Sequence, residues 1–301
     1  MVETDVDYPT DINLLFDAMR KVITLVAQEC ACYRLSTWRQ SKYHLRQVKR
    51  LYRQAQKLKR SRTKDPRQQQ AQQQRIRAAH QAYLDRARAL LDRAEGTLAV
   101  LKAPALKLLT IKGFMEHAHR QIDQIRRRVL QGQTIAHAEK VFSLFEPHTE
   151  WISKGKAGVP VELGLRVCVL EDQYGFLLHH QVMQRQSDNE VAVSMVVETQ
   201  QRFAGLRACS FDQGFYSPAN QFALAGILDE VVLPKKGRLS RAEWAVASSA
   251  SFVAARRAHA GVESAINALE VHGLDRCPDH GLAGFKRYVV VTEKVGLRCG
   301  T

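Results

Sequence analysis

The spacing of apolar residues changes once along this chain, near Gly132, and the change limits what the chain can fold into. Before Gly132, apolar residues recur every three to four positions, as in an amphipathic helix. After Gly132, short runs rich in β-forming residues alternate with helical stretches. The sequence therefore predicts a helical region followed by a mixed α/β region.

The first region begins with the tail of a strand at Val2. A helix is predicted from Ile12 to about Cys32, with Asp11 as its N-cap. Three further apolar stripes follow, divided by breaks at Asp65-Pro66 and Pro104. The stripes are Leu45, Val48, Tyr52, Ala55 and Leu58; Tyr83, Ala87, Leu90, Leu91, Ala94 and Leu98; and Leu106, Leu109, Ile122, Ile125 and Val129. Narrow stripes joined by short breaks indicate an antiparallel helical hairpin or a small bundle.

The second region alternates strands and helices. Residues 161–170 and 176–183 are apolar runs joined by a turn, which predicts a β-hairpin. Ser187 and Glu190 have the spacing of a capping box, which predicts a helix to about Phe203. The predicted elements that follow are a strand at 206–211, a helix at 218–225, a strand at 231–233 and a helix at about 256–271. This order favours a mixed α/β sheet with helices on both faces.

Positive charge is concentrated in the helical region. The chain has 45 Lys and Arg against 30 Asp and Glu, a net charge of +15. Residues 34–128 hold 25 of the basic and 6 of the acidic residues, so this segment carries +19 and the remainder −4. The charge indicates an anionic partner, with nucleic acid first and an anionic membrane surface second.

Six cysteines without a CxxC pair favour a reduced, cytoplasmic protein. Cys168 and Cys209 lie in strand-like runs and are predicted to be buried small hydrophobes. No apolar run approaches the roughly 20 residues that span a bilayer, and the first residues do not resemble a signal peptide. We therefore expect no membrane-spanning segment.

Asp212 and Glu263 are the candidate chemical residues. Asp212 is predicted to lie at the carboxyl end of a central strand, where open α/β sheets bind their ligands. Glu263 lies in the predicted helix about fifty residues later. Two such carboxylates suit Mg²⁺ or Mn²⁺, which activates water or a 3′-hydroxyl in phosphodiester chemistry. The alternative is that residues 212–214 form an ordinary turn and Glu263 is a solvated helix residue.

Five segments, taken in order, resemble the DDE transposases of bacterial insertion sequences. They are Tyr8-Pro9-Thr10-Asp11-Ile12-Asn13-Leu14-Leu15, Lys154-Gly155-Lys156, Val161-Glu162-Leu163-Gly164, Phe211-Asp212-Gln213-Gly214-Phe215-Tyr216-Ser217 and Val262-Glu263-Ser264-Ala265-Ile266-Asn267. The resemblance implies a ribonuclease H-like mixed sheet with a basic helical insertion after its first strand. It implies a core at 1–33 and 136–301 and an insertion at 34–135. It also implies Asp212 and Glu263 as the second and third acidic residues of a catalytic triad, and a homodimer on paired DNA ends.

The same resemblance implies that the first acidic residue precedes Val2. We therefore expect a copy truncated at its N-terminus, in which two carboxylates bind metal only weakly. Under this expectation the chain does not cleave DNA strands. If the start codon is misassigned, the complete enzyme is active. The alternative function is a catalytically inactive DNA-binding remnant, or a repressor of transposition, acting through the basic helices.

Further basic residues are candidate DNA contacts. They are Lys154, Lys156, Lys235, Lys236, Arg238, Arg256 and Arg257. An ordinary basic turn explains residues 235–238 equally well. Trp244 suits base stacking, although a half-buried packing role is the favoured interpretation. The histidines and cysteine at 272–280 match no standard zinc spacing, and a loop after a helix explains them better.

Overall fold

The computed structural model of this protein describes residues 1–6, 10–58, 64–153, 161–259 and 261–296, and only the backbone of Glu263, Ala265 and residues 292–296. Two compact units make up the chain. Residues 7–147 form a helical unit, and residues 1–6 with 148–301 form a mixed unit. The helical unit is therefore inserted between the first and second strands of the mixed unit, and the whole is a mixed α/β protein.

Four α-helices form the helical unit in its described part. They are α1 (Asp11–Cys32), α2 (Ser41–Lys57), α3 (Pro66–Leu98) and α4 (Ala105–Ile125). Asp65 caps α3 and accepts a hydrogen bond from the Arg67 amide, 2.9 Å away, while Pro66 occupies the first helical position. The predicted break at Asp65-Pro66 is thus confirmed as the start of a helix.

One apolar core holds these four helices together. Leu15, Val22, Tyr83, Leu91 and Ile125 are among its fully buried members. Because α1 supplies much of this core, it lies in the helical unit. The unit boundaries therefore fall at residues 6/7 and 147/148, whereas 33/34 and 135/136 were expected from the sequence.

The N-cap of α1 corrects one expectation. Thr10, with extended backbone, caps the helix, and its Oγ1 accepts a hydrogen bond from the Asn13 amide at 3.3 Å. Asp11 is instead the first helical residue, and its carboxylate pairs with Arg128 at 2.9 Å. Both residue types cap helices well, so only the backbone geometry decides between them.

The described strands of the mixed unit form two sheets. The strands are β1 (Val2–Thr4), β2 (Glu150–Ser153), β3 (Val161–Glu171), β4 (Leu177–Met183), β5 (Ala208–Ser210), β6 (Glu230–Val232) and β7 (Arg276–Cys277). The larger sheet has the order β2-β3-β1-β7, and β4 pairs with the second half of β3. Only the β1–β7 pair in this sheet is parallel. The predicted hairpin of β3 and β4 is confirmed.

Gly164 permits the close approach of β1 to β3. It pairs with Glu3 in the antiparallel register. A Cβ at this position would lie 2.7 Å from the Glu3 Cα and would also overlap the Val2 carbonyl oxygen. Both obstacles are backbone atoms, so a larger residue here would displace the strand.

Six described helices complete the mixed unit. They are α5 (Asp188–Arg202), α6 (Pro218–Ala225), α7 (Arg241–Ala247), α8 (Ala250–His259), α9 (Gly261–Leu269) and α10 (Gly281–Gly296). The capping box of α5 is confirmed: the Ser187 hydroxyl and the Ser187 amide both donate to the Glu190 carboxylate, the amide at 2.7 Å, and these bonds lower the Glu190 pKa. The helix expected at 256–271 is confirmed as helical at 256–259 and 261–269, and residue 260 lies outside the described residues.

Helix α5 lies between the two sheets. Val191 and Met195 pack against β3 and β4, whereas Ala192 and Val196 pack beneath β5 and β6. A separate cluster, which includes Leu165 and Phe285, packs on the larger sheet. The helix thus fixes β5 relative to the rest of the mixed unit. None of the described helices is both long enough and apolar enough to cross a bilayer.

Candidate functional site

The candidate site lies where β5 ends. Strand β5 runs parallel to β6, and the Phe211 amide continues the pairing by donating to the Val232 carbonyl at 2.9 Å. Within the described residues, β5 pairs with β6 alone, so the expectation that Asp212 ends a central strand is wrong. The carboxyl-end position itself is confirmed, because Asp212 directly follows the paired segment.

Residues 211–220 hold Asp212 through a compact turn. Phe211 is buried against α5, and residues Gln213–Phe215 form one turn of 3₁₀-helix. Ser217 then caps α6 by accepting from the Asn220 amide at 3.1 Å, with Pro218 in the first turn. A buried anchor on one side and a capped helix on the other define the path of the backbone at Asp212.

Asn220 connects this turn to α5. Its buried side-chain amide donates to the Phe215 carbonyl at 2.9 Å and to the Asn189 carbonyl at 2.7 Å. Asp188, in the same helix, lies against Gly214, where a Cβ would come within 2.5 Å of its Oδ2. Gly214 therefore allows the turn to lie close to the start of α5.

Asp212 presents its carboxylate to solvent. The side chain is 77% exposed, and its Oδ1 lies 3.3 Å from Nε2 of His259, the last residue of α8. Nδ1 of the same imidazole lies 2.9 Å from the Ser210 hydroxyl. A neutral imidazole with its proton on Nε2 satisfies both contacts, since it donates to Asp212 and accepts from Ser210. His259 therefore fixes the orientation of the Asp212 carboxylate.

Glu263 lies close along the chain to this group. Its backbone belongs to α9, and its side chain is not among those that the structure describes. It follows His259 by four positions, so the two Cα atoms lie no more than about 14 Å apart in any conformation. The segment that carries Glu263 is thus tied to Asp212 through His259.

The candidate DNA contacts differ in their surroundings. Lys154 and Lys156 lie outside the described residues. Lys235 is engaged in an ion pair, with its Nζ 2.7 Å from Oε1 of Glu243. That pairing, with the Ser240 cap bonds, lowers the pKa of Glu243 to about 2 and raises the pKa of Lys235. The Lys235 side chain therefore binds α7 through its ion pair with Glu243.

The other candidates are accessible. Lys236 and Arg238 are exposed in the turn after β6, and Arg256 and Arg257 are exposed in the last turn of α8. Trp244 on α7 is 64% exposed, so the favoured expectation of a half-buried packing residue is wrong. The base-stacking alternative stays a prediction.

The described residues contain no group of three His, Cys, Asp or Glu side chains placed to hold a metal ion, and this includes the histidines and cysteine at 272–280. Among the described side chains Asp212 supplies one candidate donor, and further ligands would have to come from elsewhere. Burial raises the pKa of the Cys168 and Cys209 thiols to about 12, so both stay protonated and unreactive near neutral pH.

Comparison of the chain with protein-family models, with curated proteins and with solved structures finds no match. The resemblance to transposases therefore stays a prediction.

His259 and Asn220 are the residues that sequence reasoning missed. His259 precedes Glu263 by four positions, a spacing that places two residues on one face of a continuous helix and could have suggested a shared role. Asn220 lies three residues after the capping Ser217, and no sequence pattern indicates that its amide reaches back to α5.

Proposed function

We propose that this chain has the DNA strand cleavage and strand transfer function of a DNA transposase, with Asp212 and Glu263 as metal ligands. The observation that carries the proposal is the exposed Asp212 carboxylate at the carboxyl end of β5, aligned by His259 and unpaired with any Lys or Arg in the described part of the chain. A carboxylate so placed is free to bind a cation.

The donor set fits a hard divalent cation. Carboxylate oxygens are the ligands that Mg²⁺ and Mn²⁺ take in proteins. When bound, such a cation activates a water or a 3′-hydroxyl and stabilises the leaving oxygen. With Asp212 and Glu263 as its carboxylates, the site would bind the cation weakly, and a third ligand would strengthen it.

The remaining residues have supporting roles. His259 holds the Asp212 carboxylate in one orientation by donating to it. Arg256 and Arg257, three and two residues before His259 on α8, carry exposed positive charge that suits a DNA phosphate. Lys236 and Arg238 supply further charge after β6.

A nicking assay on supercoiled plasmid in Mn²⁺ tests this proposal. Cleavage that disappears in Asp212→Asn and persists in Asp229→Asn would support an active enzyme. Asp229 is a matched control, since it is exposed and lies at the opposite end of the β5–β6 pair. Cleavage that survives Asp212→Asn would refute the assigned role of Asp212.

The second candidate is a non-catalytic DNA-binding protein that represses transposition. It is favoured by the exposed basic surface of the helical unit, where α2 carries six Lys and Arg and no acidic residue. It predicts salt-sensitive DNA binding without cleavage, unchanged by Asp212→Asn. An electrophoretic mobility shift on the same plasmid fragments separates the two candidates.

A further inference from the structure

Helix α2 carries six basic side chains and no acidic one, and all six are exposed. We call this set the α2 stripe: Lys42, Arg46, Lys49, Arg50, Arg53 and Lys57. At 3.6 residues per turn, these positions fall within an arc of about 100° on the helix surface. They extend over about 22 Å of helix axis at 1.5 Å per residue. The stripe is thus a single continuous line of positive charge.

The opposite face of α2 is buried, which fixes the direction of the stripe. His44, Val48 and Ala55 are buried there. Tyr52 stacks on Phe16 of α1 with ring centroids 4.7 Å apart. A helix packed on one face against its neighbours presents its other face in a constant orientation.

Contacts with α3 hold the same buried face. Both imidazole nitrogens of His44 lie within 3.0 Å of a guanidinium nitrogen, one from Arg86 and one from Arg93. Burial is the main cause that lowers the His44 pKa, followed by these two cations, so the imidazole is neutral near pH 7. The packing of α2 therefore adds no negative charge to balance the stripe.

The stripe is not neutralised within the protein. None of its six side chains pairs with a carboxylate in the described part of the chain. Six pairs of stripe residues lie three or four positions apart, and like charges at that spacing destabilise a helix. Solvated helix faces ordinarily mix both signs of charge. A bound polyanion would remove this repulsion.

We propose that the α2 stripe is a surface that binds the phosphate backbone of duplex DNA without reading its sequence. A DNA strand presents one phosphate per 3.4 Å of axis, so about six phosphates fall within the length of the stripe. The exposed neighbours Tyr43, Gln54 and Gln56 carry hydrogen-bond donors of the kind that contact phosphates. The proposed function supplies DNA as the partner, while the surface itself stands independently of the metal site.

An anionic membrane fits the stripe less well. Helices that lie on membranes place large apolar side chains beside their cations. On α2, Tyr43 is the exposed large apolar residue among those described. The commitment is therefore to DNA.

Fluorescence anisotropy with a labelled random-sequence 30-base-pair duplex tests the proposal on the full chain, over a series of KCl concentrations. The triple variant Arg46→Gln, Lys49→Gln, Arg53→Gln removes the centre of the stripe. We expect its dissociation constant to rise at least about tenfold, and the salt slope to fall by about two to three, since each lost phosphate contact removes about 0.9.

The matched control removes the same charge from exposed positions of the same unit outside α2: Lys102→Gln, Lys112→Gln, Arg120→Gln. It should change the slope by less than about one contact. Equal losses in the two triple variants would mean that only net charge matters and would overturn the proposal, as would an unchanged stripe variant. Arg46→Lys, Arg50→Lys, Arg53→Lys keeps the charge and should keep the affinity, which guards against a folding defect.

Two further arms separate this proposal from others. Duplex binding by the unsubstituted chain should be the same in EDTA as in Mn²⁺ at equal ionic strength, so that a failed metal site leaves the stripe intact and a failed stripe leaves the metal site testable. Vesicles of 3:1 phosphatidylcholine and phosphatidylserine should co-sediment little protein at 150 mM KCl. Stripe-dependent binding to these vesicles that exceeds binding to the duplex would overturn the choice of DNA.

Discussion

The helical unit and the mixed unit differ in both packing and charge. Residues 7–147 share one continuous core and hold 28 Lys and Arg against 12 Asp and Glu, a net charge of +16. The mixed unit divides its apolar residues among three smaller clusters and has a net charge of −1. The positive charge therefore resides in one unit, and the candidate cation site lies in the nearly neutral other.

Separation of these properties means that mutations can address them one at a time. A large positive net charge would disfavour the binding of a divalent cation. The unit that carries Asp212 has a net charge of −1. Conversely, the α2 stripe needs no chemistry from the mixed unit to attract phosphates. The predictions below test the two units separately.

The largest expected effect is loss of core packing in the helical unit. Leu91→Ala should lower the free energy of unfolding by about 2–5 kcal/mol, because Leu91 is fully buried and the substitution leaves a cavity. Urea unfolding followed by Trp38 fluorescence measures this in a Trp151→Phe, Trp244→Phe background. Leu109→Ala is the control, since Leu109 is 64% exposed and should change stability by less than about 0.5 kcal/mol. Equal losses of unfolding free energy in Leu91→Ala and Leu109→Ala would contradict the described core.

The mixed unit should respond to a single methyl group. Gly164→Ala places a Cβ against the backbone of Val2 and Glu3 and should cost about 1–3 kcal/mol. Unfolding monitored by Trp151, which pairs with Leu163 on β3, reports the change when Trp38 and Trp244 are phenylalanine. Gly205→Ala meets no atom within 4 Å and should be tolerated. If Gly164→Ala is also tolerated, β1 does not approach β3 as closely as described.

The cap of α1 gives a smaller effect. Thr10→Ala removes the acceptor for the Asn13 amide and should cost about 1 kcal/mol. Asp11→Asn weakens an ion pair with a partly exposed Arg128 and should cost less, within the 0–1 kcal/mol of surface pairs. Trp38-detected urea unfolding compares the two. If Asp11→Asn lowers the free energy of unfolding more than Thr10→Ala does, Thr10 is not the N-cap and Asp11 is.

The smallest expected effect is a dependence of stability on pH in the helical unit. Burial lowers the pKa of His44, His80 and His117 below the ordinary value of 6.5. Below about pH 6.5 the unfolded chain binds protons that the folded unit excludes, so stability should fall as the pH drops from 7.5 to 5.5. The urea midpoint from Trp38 fluorescence at the two pH values measures this. An equal or higher midpoint at pH 5.5 would contradict it.

Local sequence patterns predicted most elements of the fold. Pro66 after Asp65, the capping box at Ser187 and Glu190, and the turn between β3 and β4 each specify structure through neighbouring residues. Pairing of a three-residue strand such as β5 depends instead on what packs beneath it, which no local pattern contains. The sequence therefore predicted the position of Asp212 at a strand end but not the sheet to which the strand belongs.

The candidate site was predictable to the same extent. Asp212 could be identified from its turn, whereas its contact with His259 joins residues 47 positions apart. The pairing of Lys235 with Glu243 likewise links a turn to the following helix, and charge alone suggested a free lysine. Long-range side-chain contacts of this kind follow from the folded structure and not from sequence spacing.

The most direct test of the metal site proposed at Asp212 and Glu263 is a Mn²⁺ titration of the full chain, followed by electron paramagnetic resonance of the free ion. We predict weak binding that is lost in Asp212→Asn and in Glu263→Gln and is retained in Asp229→Asn. Identical binding in all four proteins, or no binding by the unsubstituted chain at millimolar Mn²⁺, would contradict it.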